Sequence, residues 1–289
     1  MDGFISQIQQ YSTKDGPGVR STVVAVGCPL NCLWCAYPEL IGDAAKFLYH
    51  PRRCVACGAC VAQAGGSSVD SEDGFEESSV ICFYDAYEMV GEPISDKKLA
   101  SDLLRDKVFY DQSGGGVTFS GGDPVLQAEF FFEVAMRLKD ADVHVALDTS
   151  GHFPWEKLVP LVSACDLILF DLKFLSRVLH RRYTGVDNQL ILENAMKIAY
   201  SGKPMIIRMI LVPGVNDSYT EISGRLAFVK SLGSLVKLDI IKYKKLEVGK
   251  YASLEMIELM DGTEECSDEF AEHVLEMATS IGLNASIVS

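Results

Sequence analysis

Thr22-Val23-Val24-Ala25-Val26-Gly27-Cys28-Pro29-Leu30-Asn31-Cys32-Leu33-Trp34-Cys35 is an apolar run that ends at a glycine and opens into three closely spaced thiols. A short run of this kind, bounded by Gly27, reads as a strand buried on both faces. The pattern recurs at residues 117–119, 143–147, 167–170, 206–211 and 238–241. Segments of helical period fall at 99–104, 124–138, 155–163, 190–200, 219–232 and 269–281. This alternation predicts a parallel sheet and, as its natural closure, a partial or complete α/β barrel. Polar or glycine-rich groups follow the strands directly: Gly27-Cys28, Ser120-Gly121-Gly122-Asp123, Asp148-Thr149-Ser150, Asp171-Leu172-Lys173 and Val212-Pro213-Gly214. The C-terminal strand ends of such barrels build the active site, so these groups are expected to converge on one mouth.

The chain has 289 residues, enough for one such domain with an insertion. A hydrophobic share of 48% supports a folded core. Its net charge of −14 repels polyanions, which argues against a nucleic-acid partner. No run reaches the roughly 18–20 apolar residues of a membrane span. Residues 1–16 carry neither the basic nor the apolar segment of an export signal. A cytoplasmic protein with no membrane partner is the expectation.

Seven of the nine cysteines lie between Cys28 and Cys82. In a reducing compartment, clustered thiols indicate metal ligands or redox groups rather than disulfides. Residues 46–93 break the alternation: they are cysteine-rich, then rich in glycine, serine and acidic residues. About 50 residues bury too little surface to fold alone, so this segment reads as a metal-stapled insert. The barrel would then comprise residues 1–45 and 94–289.

Cys28, Cys32 and Cys35 make a CxxxCxxC motif. Three thiolates at this spacing suit one face of an iron–sulfur cube and leave the fourth iron open to an outside ligand. A zinc knuckle or three packed thiols is the plainer alternative.

The motif resembles the signature of the radical S-adenosylmethionine (SAM) superfamily. The stretch Tyr11-Ser-Thr-Lys-Asp15-Gly16-Pro17-Gly18-Val19-Arg20 is similar, more narrowly, to the opening of the glycyl radical enzyme activating enzymes, the pyruvate formate-lyase activating enzyme type. Ser113 through Pro124 (SGGGVTFSGGDP), Asp148-Thr149-Ser150-Gly151, Asp171-Leu172-Lys173 and Leu211-Val212-Pro213-Gly214 follow in that family's order. The resemblance runs from residue 3 to about residue 253. It implies a partial (β/α)6 TIM-like radical SAM barrel with a small, cysteine-rich, ferredoxin-like insertion.

SAM carries an amino group, a carboxylate and a sulfonium, so its site needs an electron source beside the sulfur and polar partners for the amino-acid end. Cys28, Cys32 and Cys35 would hold the catalytic 4Fe-4S cluster. Gly121 and Gly122 permit close backbone approach, and Asp123 offers an acceptor for the ammonium; a Gly-Gly pair is otherwise only a turn. By resemblance, Asp148, Thr149 and Asp171 fall where a monovalent or divalent cation gathers near the SAM carboxylate, and Lys173 at a SAM contact. Solvated strand-end charges are the alternative. Trp34 joins the expected cofactor-binding set. Arg208 interrupts an apolar strand and needs an anion, either the SAM carboxylate or a carboxylate of the protein. Asp15 is the expected contact for the partner's glycine loop, although Asp-Gly-Pro-Gly also favours a plain tight reversal.

Cys54, Cys57 and Cys60 form CxxCxxC, with Cys82 the remaining cysteine of the insert. Relatives commonly carry two auxiliary clusters on eight cysteines; four allow one auxiliary 4Fe-4S cluster, with zinc as the structural alternative. Where relatives have a histidine in Pro-Tyr-His, this chain has Lys244, which stays in the expected SAM set without a histidine's acceptor or stacking face. Asp123 stands where glutamate is more usual, and Ala36-Tyr37 replaces a small-polar pair. The five histidines are scattered and read as packing or surface residues, Cys165 as core, and Cys266, in an acidic turn, as exposed.

These readings imply an enzyme that activates a glycyl radical enzyme, reduced by flavodoxin or ferredoxin. A radical SAM enzyme acting on a small molecule or another peptide, and a degenerate iron–sulfur binding protein, are the alternatives.

Overall fold

A computed structural model of the chain describes residues 1–43, 46–59, 82–233, 236–246, 249–254 and 256–288. Among them the strands are β1 (Asp2–Ser12), β2 (Arg20–Ala25), β3 (Phe47–Tyr49), β4 (Tyr87–Met89), β5 (Glu92–Ser95), β6 (Gly116–Gly121), β7 (His144–Thr149), β8 (Leu167–Asp171), β9 (Met205–Leu211), β10 (Val236–Lys242) and β11 (Ala285–Val288). The helices are α1 (Asp96–Leu104), α2 (Lys107–Ser113), α3 (Ala128–Lys139), α4 (Trp155–Ala164), α5 (Arg177–Thr184), α6 (Gln189–Tyr200), α7 (Tyr219–Ser231), α8 (Lys250–Ser253) and α9 (Asp268–Ser280). Serines 95, 176, 218 and 267 cap α1, α5, α7 and α9 by accepting from backbone amides of the first turn.

The six apolar runs become the parallel strands β2, β6, β7, β8, β9 and β10. They sit in a nine-stranded sheet of order β11-β10-β9-β8-β7-β6-β2-β1-β5. β11 and β5 lie at its two ends, so the barrel is open along one side. β11 adds a further parallel strand, whereas β1 and β5 are antiparallel additions beyond β2. β1 escapes a simple period because its pairing with β2 shifts twice, between Ile5 and Gln7 and between Gln9 and Ser12. Pro93, which has no amide to donate, is tolerated in β5 because that strand is an edge.

Alternation along the strands separates two environments. One set, including Phe119, Leu147, Ile168, Phe170, Ile207 and Met209, packs with Phe131, Val134, Leu138, Leu158 and Leu161 of the helices into the main core. The opposite face holds a small apolar group of Ala146, Leu167 and Leu169 with Ile206. Asp148, Asp171, Arg208 and Asp239, which share that face by register, form a polar layer toward the C-terminal strand ends. Within residues 46–93, β3 and β4 pair as a separate two-stranded sheet, and β5 joins the main sheet at Glu92. No helix among the described residues is long and apolar enough to cross a membrane.

Candidate active site

The cysteine loop leaves β2 and is fixed at three points. Cys28 exchanges backbone hydrogen bonds with Gly42 at 2.7 and 2.9 Å. The Asn31 and Leu33 amides donate to the carbonyls of Thr184 and Tyr183, at the end of α5, at 2.8 and 3.0 Å. Trp34 is buried against Phe174 and Tyr183, with ring centroids 5.8 and 6.5 Å away, so its indole supports the loop as part of the core. Burial pushes all three thiols up, Cys32 to about 12, and neighbouring thiols add to the effect at Cys28 and Cys32. The amides of Leu30 and Tyr37 donate to the sulfurs of Cys28 and Cys35. Three thiolates at this depth need a cation to hold them. Among the described residues no three His, Cys, Asp or Glu side chains converge on one point as a single zinc ion requires. Three closely spaced cysteines on one loop suit an iron–sulfur cube, where each thiolate takes its own iron.

The strand-end charges are brought together. Arg208 donates from Nη1 to Asp148 at 2.6 Å and lies 3.9 Å from Asp171 and 4.0 Å from Asp15. Its nearest anion among the described residues is therefore a carboxylate of the protein. Ser120 donates to Asp148 at 2.6 Å, and Lys173 pairs with Asp171 at 2.7 Å. Burial raises Asp148 to about 6 despite Arg208. Burial also pushes Asp171 up, but Lys173 and Arg208 more than offset it and hold that carboxyl below the usual range. The Lys173 ammonium is felt at Cys32 and Cys28, which places it beside the cysteine loop. Counting Asp239, whose field also reaches Arg208, four carboxylates here face two cations.

Gly121 and Gly122 press against β2 itself. The Gly122 amide donates to Ala25 at 2.9 Å, and a Cβ on Gly122 would come within 2.0 Å of the Gly27 carbonyl oxygen. The close approach read from these glycines is thus made first by the chain. Asp123 is fully buried and burial raises it to about 6. Its carboxylate accepts from the Thr149 hydroxyl at 3.0 Å, the Ser150 amide and hydroxyl at 2.8 and 2.7 Å, and the Val125 amide at 3.2 Å. It ties the end of β7 to the turn after β6, and the Thr149 side chain is committed to it.

Asp15 precedes β2 and so approaches from the end of the barrel opposite the cysteines. Its carboxylate accepts from Ser12 at 2.8 Å and Thr22 at 2.7 Å. Arg20, fully buried, holds the same turn by donating to the Pro17 carbonyl at 3.1 Å and to Thr118 at 2.6 Å. Gly18 and Gly115 let this turn meet the 113–116 segment, where a Cβ on Gly115 would lie 1.8 Å from the Val19 carbonyl oxygen.

In the insert, Cys54, Cys57 and Cys82 line one hollow of about 290 Å³ together with Val55, Tyr84 and Tyr87. The Ala86 amide donates to Cys82 Sγ at 3.3 Å. Hydrogen bonds from Tyr49 and the Ala56 amide hold the Cys54 thiol below its ordinary value. Sulfur atoms that share a hollow and accept amide hydrogen bonds fit ligation of a cluster or metal. Cys60 lies outside the described residues.

Lys244 is exposed. Cys266 is buried beside Tyr243, whose carbonyl accepts from its amide at 3.0 Å, a departure from the exposed turn expected of it. Glu39, Lys250 and Tyr251, which hold the far side of the cysteine loop, were not singled out by sequence; no motif spacing links residues 211 positions apart.

The Radical SAM superfamily matches residues 80–226. The choline trimethylamine-lyase activating enzyme of Oleidesulfovibrio alaskensis is 33% identical over 94% of this chain and 93% of its own length. The trans-4-hydroxy-L-proline dehydratase activating enzyme of Clostridioides difficile is 31% identical over 99% of each chain. Among solved structures, a domain of pyruvate-formate lyase-activating enzyme from Bacteroides vulgatus is 29% identical with a TM-score of 0.51, covering 61% of this chain and all of that one.

Proposed function

The chain belongs to the radical SAM superfamily and, within it, to the glycyl radical enzyme activating enzymes, and from that membership we propose the following assignment of its residues. The observation that carries it is the meeting of the Cys28–Cys32–Cys35 loop with Lys173 and the Arg208 charge group at one end of the sheet. When bound, the cluster supplies the electron that splits SAM into methionine and a 5′-deoxyadenosyl radical, which takes a hydrogen atom from a backbone glycine of the partner enzyme.

Cys28, Cys32 and Cys35 would hold that cluster. Lys173 and Arg208 would orient the carboxylate end of SAM. The excess of carboxylates at Asp15, Asp148, Asp171 and Asp239 suits a cationic guest, whether the SAM sulfonium and ammonium or a metal cation. Gly121, Gly122, Asp123 and Thr149 would keep the adjoining wall in register, with Asp123 acting through Ser150 and Thr149. Trp34 would support the loop from the core side. Lys244, being exposed, would meet SAM or the partner only at the rim. Asp15 would bear on the glycine loop from the end of the barrel opposite the cysteine loop. No general base is required, so the protein's contribution is binding, orientation and the electrostatic setting of the electron transfer.

Residues 46–93 would form the insert, with an auxiliary 4Fe-4S cluster on Cys54, Cys57, Cys60 and Cys82. Flavodoxin or ferredoxin would be the one-electron donor. The test is 5′-deoxyadenosine formation by anaerobically reconstituted, chemically reduced protein with SAM, beside a Cys32→Ala control. Product that vanishes in the control supports the assignment, and product that persists with Cys32→Ala sinks it. A glycine-centred radical on the partner, read by EPR, checks the second half of the reaction.

A further inference from the structure

Cys35 is flanked by a set of contacts that the SAM-binding role does not use. Lys250, in α8, donates to the Ala36 carbonyl at 3.1 Å and to Glu39 at 2.6 Å, and its ammonium sits 4.5 Å from the centroid of the Tyr37 ring. The next residue, Tyr251, donates from its hydroxyl to the carbonyls of Leu33 and Cys35 at 3.4 and 3.3 Å. One four-residue helix thus grips the backbone on both sides of the third cysteine. Glu39 is only 8% exposed, and its Oε2 is buried without a hydrogen-bond partner. Lys250 therefore compensates a carboxylate that is otherwise poorly satisfied. Both charges are felt at the Cys35 sulfur, with opposite sign. Lys46, which donates to the Pro38 carbonyl at 3.3 Å, is a second ammonium near the same two groups.

We propose that the Glu39–Lys250 pair, clamped against the loop by α8, positions the third cysteine and sets the reduction potential of the cluster it ligates. The inference rests on the assignment of Cys28, Cys32 and Cys35 above. Reduction adds a negative charge to the cluster, and in a weakly polarisable interior a fixed ammonium nearby favours the reduced state while a fixed carboxylate opposes it. Removing Lys250 leaves the Glu39 carboxylate buried and uncompensated, and neutralising Glu39 leaves a partly exposed ammonium beside the loop, so the two single substitutions act in opposite directions.

The test is an EPR-monitored redox titration of reconstituted holoenzyme, read on the cluster signal that changes when SAM is added, which separates it from any auxiliary cluster. Lys250→Met is expected to move the midpoint to more negative potential, and Glu39→Gln to less negative potential. The double variant is expected to fall between them, and Lys250→Arg to stay near wild type. Unshifted midpoints in Lys250→Met and Glu39→Gln, with full iron content, would overturn the proposal and reduce the pair to a structural staple. If Lys250→Met fails to hold a cluster, Glu39→Gln decides alone, and an unmoved midpoint there overturns it equally. Wild-type protein with no SAM-sensitive signal would instead overturn the assignment of the three cysteines.

Discussion

Arg208 shows how a single residue's need can be legible while its answer is not. A guanidinium inside Ile206-Ile207-Arg208-Met209-Ile210 needs a polar or anionic partner, whatever the fold. That the anion is Asp148, 60 residues earlier, follows only from the register of β7, β8 and β9. Replacing it with methionine leaves Asp148 and Asp171 partly buried with Lys173 as the remaining cation of the group. The loss is smaller than the roughly 3–5 kcal/mol of a fully buried pair. Arg208→Met is therefore expected to lower the urea midpoint at pH 7 and to abolish 5′-deoxyadenosine formation. Normal stability together with normal turnover would remove Arg208 from the site. Asp123 carries the same lesson in reverse: an acceptor in a Gly-Gly-Asp turn reads as a ligand group, yet its oxygens are occupied by Thr149, Ser150 and Val125.

At the scale of elements, the ends of β2 and β6 are locked by glycines that admit no side chain. Gly122→Ala would drive a Cβ into the Gly27 carbonyl, one residue before Cys28. Overpacking of this kind costs about 1–3 kcal/mol, and the backbone that yields carries Cys28, proposed above as the first cluster ligand. The expected result is reduced iron retention and reduced SAM cleavage, whereas Gly262→Ala, with open space around it, leaves both unchanged. Equal behaviour of the two variants in an iron assay would show that the β2–β6 contact does not position Cys28. The six parallel strands could be read from their apolar runs, because each concentrates buried apolar residues in a few consecutive positions. β1 could not, since two register shifts scramble its alternation, nor could α8, which is four residues long and acts through a loop remote in sequence.

For the whole molecule, three histidines bear on the response to acid. Burial lowers the pKa of His144, His152 and His180. A folded pKa below the unfolded value of about 6.5 means that, as pH falls through that value, the unfolded chain takes up protons the folded chain refuses. Stability supplied above pH 6.5 is then lost on acidification. Asp123 and Asp148, raised to about 6, act the other way below that pH. A variant isolates the histidine effect: His180→Gln is expected to lose less stability than wild type between pH 7.5 and 5.5, measured by urea unfolding. Parallel curves would show that His180 is protonated equally in both states. His180 belongs to α5, whose last carbonyls hold the cysteine loop, so this titration bears on the site as well as on the fold. Cysteine spacing, the order of glycine-rich turns and the alternation of strands and helices are local properties of the chain, and they suffice for the barrel and the family. The partner of Arg208, the saturation of Asp123 and the grip of Lys250 on Glu39 depend on which strand ends and loops meet in space. Those meetings are set by register and by packing of the whole sheet, because a charge or a hydrogen-bond donor acts over a few ångströms and takes no account of separation along the sequence.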